Sequence, residues 1–251
     1  LSLVSLSDAY NSNEVKIAKK IINHNIPGLI PIACVINGMY YDSINDIYDG
    51  GKAIIITKFC NKGNLHHCFK KLDDLQKIQA LRDTWKTLTI FHEHNFAHED
   101  VKSDNILVNE NEKGEMEFYV SDFGCTRKIK TLPGSGKSGG ADIRNDTHLF
   151  GVMIAACMGI VGTHVYRPPF GAVIAPDLDQ KIMKCSDKNN FLHDERVKKL
   201  ACQMIADEPT DRPSDAEVSM VLNEMYRDID ESKNGRSRKL NEIVSDISYV
   251  H

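Results

Sequence analysis

The stretch His98-Glu99-Asp100-Val101-Lys102-Ser103-Asp104-Asn105 ends where a short apolar run begins, and sixteen residues after Asn105 a second run closes on Ser121-Asp122-Phe123-Gly124. The runs Ile106–Val108 and Glu117–Val120 read as two strands, with the polar stretch Asn109–Gly114 as the turn between them. Such a hairpin clusters carboxylates and an amide where its strands begin and end. A fold built on it must hold Asp100, Lys102, Asn105 and Asp122 at one end of a small sheet.

The rest of the chain is ordinary globular material. Of its 251 residues 41% are hydrophobic and 26% charged, which excludes wholesale disorder. A net charge of −4 argues against a protein whose main task is gripping nucleic-acid backbone. Seven scattered cysteines, never in a C-x-x-C pair, predict reduced thiols in a cytosol-like compartment, so a cytoplasmic setting is expected (or a host cytosol, for a secreted effector). No stretch reaches the ~18 apolar residues of a membrane span. The nearest, Leu149–Gly162, is 14 residues long, lies between His148 and His164, and reads as a buried helix. No signal peptide is expected in the sequence given, and a first residue Leu1 in place of Met suggests an excerpt of a longer protein.

Periodicity organises the remainder. Ser12–His24 reads as an amphipathic helix with Ser12 as N-cap, stopped by Asn25 and Pro27-Gly28. Strands follow at Ile32–Ile36 and Ala53–Thr57, with Asp49-Gly50-Gly51 as a turn before the second. Asn61–Asn64 reads as a connector, and Leu72–Phe91 as a helix burying Leu75, Ile78, Leu81, Trp85, Leu88 and Phe91. After a Gly/Ser/Lys-rich loop at Thr131–Gly140 come helices at 146–158, Arg196–Ala206 and Ser214–Tyr226. Beyond Arg227 a charged tail ends in Leu240, Ile243, Val244 and Ile247, which read as a docking helix or, alternatively, as a segment binding a regulatory protein.

The chemistry these residue types suit is phosphoryl transfer, which needs positioning and charge neutralisation more than covalent help. An Asp can orient a hydroxyl, a Lys can neutralise a phosphate, and an Asn with a second Asp can hold Mg²⁺ through hard oxygen ligands. The segment resembles the catalytic loop H-R-D-L-x-x-x-N and the D-F-G of the eukaryotic-type protein kinase family, in its serine/threonine branch. The resemblance implies a two-lobed α+β fold. A reduced N-lobe with its hinge would occupy residues 1–64, a mainly helical C-lobe 65–226, and a charged tail 227–251. It implies ATP and Mg²⁺ as cofactors and a protein hydroxyl as substrate, with no nucleic-acid partner. Asp100 would be the catalytic base and Lys102 would sit at the γ-phosphate, with Asn105 and Asp122 as metal ligands. Thr57 would back the adenine, and the backbones of Lys58 and Cys60 would bond it. Asp146-Thr147-His148-Leu149-Phe150-Gly151 resembles the opening of the family's buried central helix, and Asp207–Pro213 its late D-P-x-x-R-P signature.

Four departures matter. No glycine precedes Gly28, so a glycine-rich phosphate loop is missing from the sequence given. No Lys or Arg precedes Glu14, which is taken as the helix Glu whose lysine partner would lie upstream or be lost. Val15–Lys20 resembles the lysine strand but leaves too little chain for the helix that must follow it. Glu99 stands where the family has Arg, so a phosphate on the activation segment would be repelled and is not expected to switch activity on. Only 21 residues separate Gly124 from Asp146, without A-P-E, so Arg212 must find another acid or solvent.

Other patterns are weaker. Gly134-Ser135-Gly136-Lys137-Ser138 lacks the first glycine of a Walker A loop. His92, His94 and His98 with His66-His67-Cys68 could suggest zinc but read better as ordinary histidines. Cys125 is either an accessible thiol near ATP or an inert one, and Arg236, Arg238 and Lys239 read as a solvated face. Three functions compete: a serine/threonine protein kinase, a pseudokinase acting as a nucleotide- or partner-binding scaffold, and a small-molecule kinase. Lys102 and Asp207–Pro213 argue against the last.

Overall fold

The computed structural model describes residues 2–7, 13–42, 47–129, 143–160, 177–185 and 194–248. The architecture is two-lobed α+β. The first part is a three-stranded antiparallel sheet carrying one helix. Strand β1 (Ser2–Ser7) pairs with β3 (Ile47–Thr57), which pairs in turn with β2 (Ile32–Asp42), in the order β1-β3-β2. Helix α1 (Asn13–His24) buries Val15 and Ala18 against Ile55 of the sheet and gives Ile17 and Ile21 to the main core. Asn25, at φ 45, ends it in the left-handed conformation that an asparagine tolerates.

Three features differ from the sequence reading. The alternating Ser-Leu-Val-Ser-Leu-Ser segment forms β1, which apolar content alone did not single out. The strands β2 and β3 are longer than expected, and Asp49-Gly50-Gly51 lies inside β3, not in a turn. The pairing steps from Gly38↔Lys52 to Met39↔Gly50, so Gly51 is the extra residue of a bulge, a place where glycine is at home. Finally, the last helix does not end near Tyr226: α7 runs unbroken from Asp215 to Ser248. The charged stretch after Arg227 is rich in good helix formers, and helix continuity needs no apolar periodicity. The Thr131–Gly140 loop, with Gly134–Ser138, lies outside the described residues.

The mainly helical part is built around α3 (Asp74–Glu93). A capping box opens it, with Asp73 accepting from the Gln76 N–H at 2.8 Å and Gln76 accepting from the Asp73 N–H at 3.0 Å. Its Ile78, Leu81, Trp85, Leu88 and Phe91 are buried as the period predicts, and Trp85 packs on Phe150 of α4 (Ile143–Cys157) with ring centroids 4.9 Å apart. Short α2 (Leu65–Cys68), α5 (Leu178–Lys184) and α6 (Glu195–Met204) complete the helical set. Strands β4 (Phe96–Ala97) and β7 (Arg127–Lys128) pair with each other, as do β5 (Ile106–Glu110) and β6 (Met116–Val120).

The two parts are sewn together at β6. The Ile30 N–H donates to the Val120 carbonyl, and the Val120 N–H to the Gly28 carbonyl, both at 2.8 Å. No helix among the described residues is long and apolar enough to cross a membrane.

Candidate active site

The loop after β4 is shaped from beneath by Asp146, which is wholly buried in the first turn of α4. Its Oδ2 accepts the His98 N–H and its Oδ1 the Glu99 N–H, each at 2.7 Å. Glu99 sits at φ 60, a left-handed conformation a glutamate keeps only where its surroundings fix it. His98 is fully buried and bridges the two halves of the site. Its Nε2 lies 3.1 Å from the Ser121 carbonyl, which can only accept, so Nε2 carries the proton. Nδ1 is then left as the acceptor for the Asp100 N–H at 3.3 Å.

Asp100, Lys102 and Asn105 meet as the sequence predicts. One carboxylate oxygen of Asp100, Oδ2, accepts from Lys102 Nζ at 2.6 Å and from Asn105 Nδ2 at 2.9 Å. Asn105 Nδ2 also reaches the Asp100 carbonyl at 2.9 Å, so its donor end is spent on the loop. The other oxygen, Asp100 Oδ1, is buried and has no hydrogen-bond partner among the described residues. Leaving a buried acceptor unmade costs about 1–3 kcal/mol.

Asp122 stands directly beyond the hairpin end. The Asn105 carbonyl accepts both the Ser121 N–H at 2.9 Å and the Ser121 Oγ at 2.8 Å, which fixes the residue before Asp122 against the residue that ends the loop. Asp122 is exposed, at φ 64, and its Oδ1 accepts the Gly124 N–H at 3.2 Å. Phe123 turns inward, 5.9 Å from the His98 ring and 6.2 Å from Phe91. Burial pushes the Cys125 thiol up, and Asp100, Asp122 and Glu99 add to this against Lys102.

Thr57 ends β3, and Lys58 and Cys60 follow it in the linker. Thr57 and Cys60 are buried. The Lys58 N–H is taken by the Pro31 carbonyl at 2.9 Å. Its side chain turns to the hairpin, where Nζ meets Glu117 Oε2 at 2.7 Å and Tyr119 Oη at 2.8 Å. Burial pulls the Lys58 ammonium down, but these bonds outweigh it and leave its pKa raised. A hollow of about 390 Å³ lined by Pro31, Ile32, Ala33, Thr57, Lys58 and Phe59 adjoins this linker and does not include Asp100 or Asp122. Glu14 lies in the first turn of α1, half-buried, and its neighbour Asn13 reaches the turn after Asp122.

Several contacts around the site carry no signal in the sequence. Buried His92 bridges Asp146 Oδ2 and Asp215 Oδ2, each at 2.9 Å, joining α3, α4 and α7. Burial alone would lower its pKa, but the two carboxylates raise it to about 9. Glu99 Oε2 faces Arg127 Nε at 3.3 Å. Arg212, expected to find another acid or solvent, donates among its bonds to three backbone carbonyls: Ala206 at 2.8 Å, Arg144 at 2.9 Å and Asp207 at 3.1 Å. Of these only the Arg144 carbonyl lies far along the chain, 68 residues away.

A family profile described as the protein kinase domain matches residues 10–169, more than half of the 251. The chain belongs to the protein kinase family. It is 25% identical over 231 residues to a probable serine/threonine-protein kinase of Dictyostelium discoideum, an alignment covering 84% of this chain and 16% of the relative. A serine/threonine-protein kinase of Arabidopsis thaliana is 23% identical over 206 residues, 73% of this chain and 34% of the relative. Retinal guanylyl cyclase 2 of Bos taurus is 31% identical over 100 residues, 37% of this chain and 9% of that protein. The chain thus spans a small part of the length of the curated relatives it matches.

Proposed function

We propose that this chain transfers the γ-phosphate of ATP to a serine or threonine hydroxyl of a protein, with Mg²⁺ as its metal. The observation that carries the reading is Asp100 Oδ1, a buried acceptor with no partner among the described residues, beside an Oδ2 already neutralised by Lys102. A hydroxyl donated to Oδ1 would be oriented for attack, and Asp100 would hold its proton. Lys102 lies close enough to Asp100 to offset charge on the transferring phosphate as well. Asn105 Oδ1, which accepts no bond among the described residues, and the exposed Asp122 carboxylate are the hard oxygens that would hold Mg²⁺. When bound, that ion would neutralise phosphate charge. With the Lys58 N–H spent on Pro31, its carbonyl and the Cys60 N–H are the backbone groups we assign to the adenine edge, with Thr57 behind it. Glu14 is assigned as the helix carboxylate of the N-lobe.

We divide the chain into an N-lobe with hinge at 1–64 and a C-lobe at 65–226, with 227–251 as a charged tail that is helical to Ser248. The Glu99–Arg127 pair supports an activation segment that works without phosphate, because the acid before Asp100 is matched by an Arg belonging to the protein itself.

The test is phosphate transfer from labelled ATP to Ser/Thr, Tyr and small-molecule acceptors. Asp100→Ala and Asp122→Ala should each lower transfer at least about 100-fold, while leaving the melting temperature close to wild type. Wild-type transfer in either variant would refute the assignment. A second reading, a nucleotide- or partner-binding scaffold without transferase activity, is favoured by two observations. The strand Ser2–Ser7 contains no lysine, and one relative is named for cyclase activity instead of kinase activity. Stabilisation by ATP and Mg²⁺ with no label transferred to any acceptor would decide for it.

A further inference from the structure

We propose that Asn13 is a positioning residue that ties α1 to the Asp122 turn and so sets how Asp122 meets a divalent cation; the inference rests on the reading of Asp122 as a cation ligand. Asn13 is the first residue of α1, yet its amide is spent more than a hundred residues along the chain. Nδ2 donates to the Gly124 carbonyl at 3.2 Å and to the Thr126 carbonyl at 2.6 Å. Both acceptors are carbonyls, so the amide can face them only with its nitrogen, and each of its two hydrogens has an acceptor.

Those carbonyls belong to the turn that shapes Asp122. The Gly124 N–H donates to Asp122 Oδ1 at 3.2 Å, and the Thr126 N–H to the Phe123 carbonyl at 3.1 Å. Asp122 itself, at φ 64, is left-handed, a conformation an aspartate tolerates, so the bonds around the turn decide where its carboxylate points. Phe123 fixes the turn from inside, and Asn13 braces it from outside. The brace stands on a firm footing, because Val15, Ile17, Ala18 and Ile21 anchor the same helix in the core. A displacement of α1 would therefore reach Asp122 through two hydrogen bonds and no intervening side chain. Only an amide suits the position: a carboxylate of the same shape offers no donor and opposes both carbonyls.

Asn13→Asp tests this while keeping a residue favoured at a helix start. In the protein without nucleotide, amide hydrogen exchange of the segment Phe123–Ile129 should quicken about fivefold to tenfold, with α3 unchanged. With ADP as probe, the Mg²⁺ concentration for half-maximal stabilisation of the complex should rise at least about fivefold, while metal-free ADP affinity and melting temperature stay near wild type. Asn13→Gln, which keeps the donors, should lie closer to wild type. Unchanged exchange, or faster exchange with a Mg²⁺ requirement within twofold of wild type, overturns the proposal. A wild-type protein whose ADP affinity ignores Mg²⁺ overturns the cation reading and this role with it, before any variant is made. Should Asn13→Asp not fold, Asn13→Ala, which also lacks the donors, is read in the same way.

Discussion

Gly28 shows how one residue can govern the join between the two parts of the molecule. It adopts φ +82, its carbonyl accepts the Val120 N–H, and a Cβ placed on it would lie 1.9 Å from Thr87 Oγ1 and 3.0 Å from Thr87 Cβ. Thr87 cannot swing away freely, since it is β-branched and its hydroxyl already donates to the Asp83 carbonyl at 2.9 Å. Gly28→Ala should therefore cost about 2–4 kcal/mol, from left-handed strain plus overpacking. Urea denaturation measures this, and a midpoint equal to wild type would contradict it. Adding Thr87→Ala should recover the part of the clash due to Oγ1 and leave the strain and the close Cβ contact. The sequence marked Pro27-Gly28 as a breaker but could not show what it breaks against. The same limit separates the legible from the illegible in the site. Asp100, Lys102 and Asn105 fall within six positions, so local chemistry reveals them. Asn13, His92 and Arg127 act through partners that only the folded chain brings near, and no spacing rule connects them.

Among the elements, α3, α4 and α7 share one buried charge. His92 on α3 lies between Asp146 of α4 and Asp215 of α7, and Trp85 Nε1 adds a bond to the Asp215 carbonyl at 3.2 Å. Asp146 in turn holds the His98 and Glu99 N–H groups, so the loop carrying Asp100 stands on this junction. The folded pKa of His92, about 9, lies above the 6.5 of an unfolded histidine, so the native state binds the extra proton between those values. Its contribution is full below about pH 6.5 and is lost as pH rises through about 9, amounting to about 3 kcal/mol. Stability should fall over that window in wild type, and the fall should disappear in His92→Gln, with urea midpoints at pH 6 and pH 9.5 as the measurement. Equal slopes in the two proteins would refute the assignment. Element types were legible wherever an apolar period ran for several turns, as in α3. The register of β2 and β3 was not, because a bulge at Gly51 depends on what lies opposite it.

For the whole molecule, α7 decides where the folded unit ends. Its first half is fully engaged: Val218, Leu222 and Met225 are buried, and Arg82 stacks on Tyr226 with its guanidinium carbon 3.7 Å from the ring centre. Arg196 reaches Asp228 at 2.6 Å, and Lys233 reaches Asp73 at 3.0 Å across the start of α3. The helix then continues to Ser248. A break in hydrophobic pattern after Tyr226 is thus a change in what one face of the helix touches, not an end to the helix, which is why the sequence suggested two elements. Exposed pairs such as Lys233–Asp73 contribute about 0–1 kcal/mol, whereas removing a buried Met costs about 2–5 kcal/mol. A chain ending after Asn223 should therefore melt at least about 6 °C below one ending after Gly235, through loss of Met225 and the Tyr226 stack. Thermal unfolding of the two truncations separates the cases. Equal melting temperatures of the two truncations would contradict this.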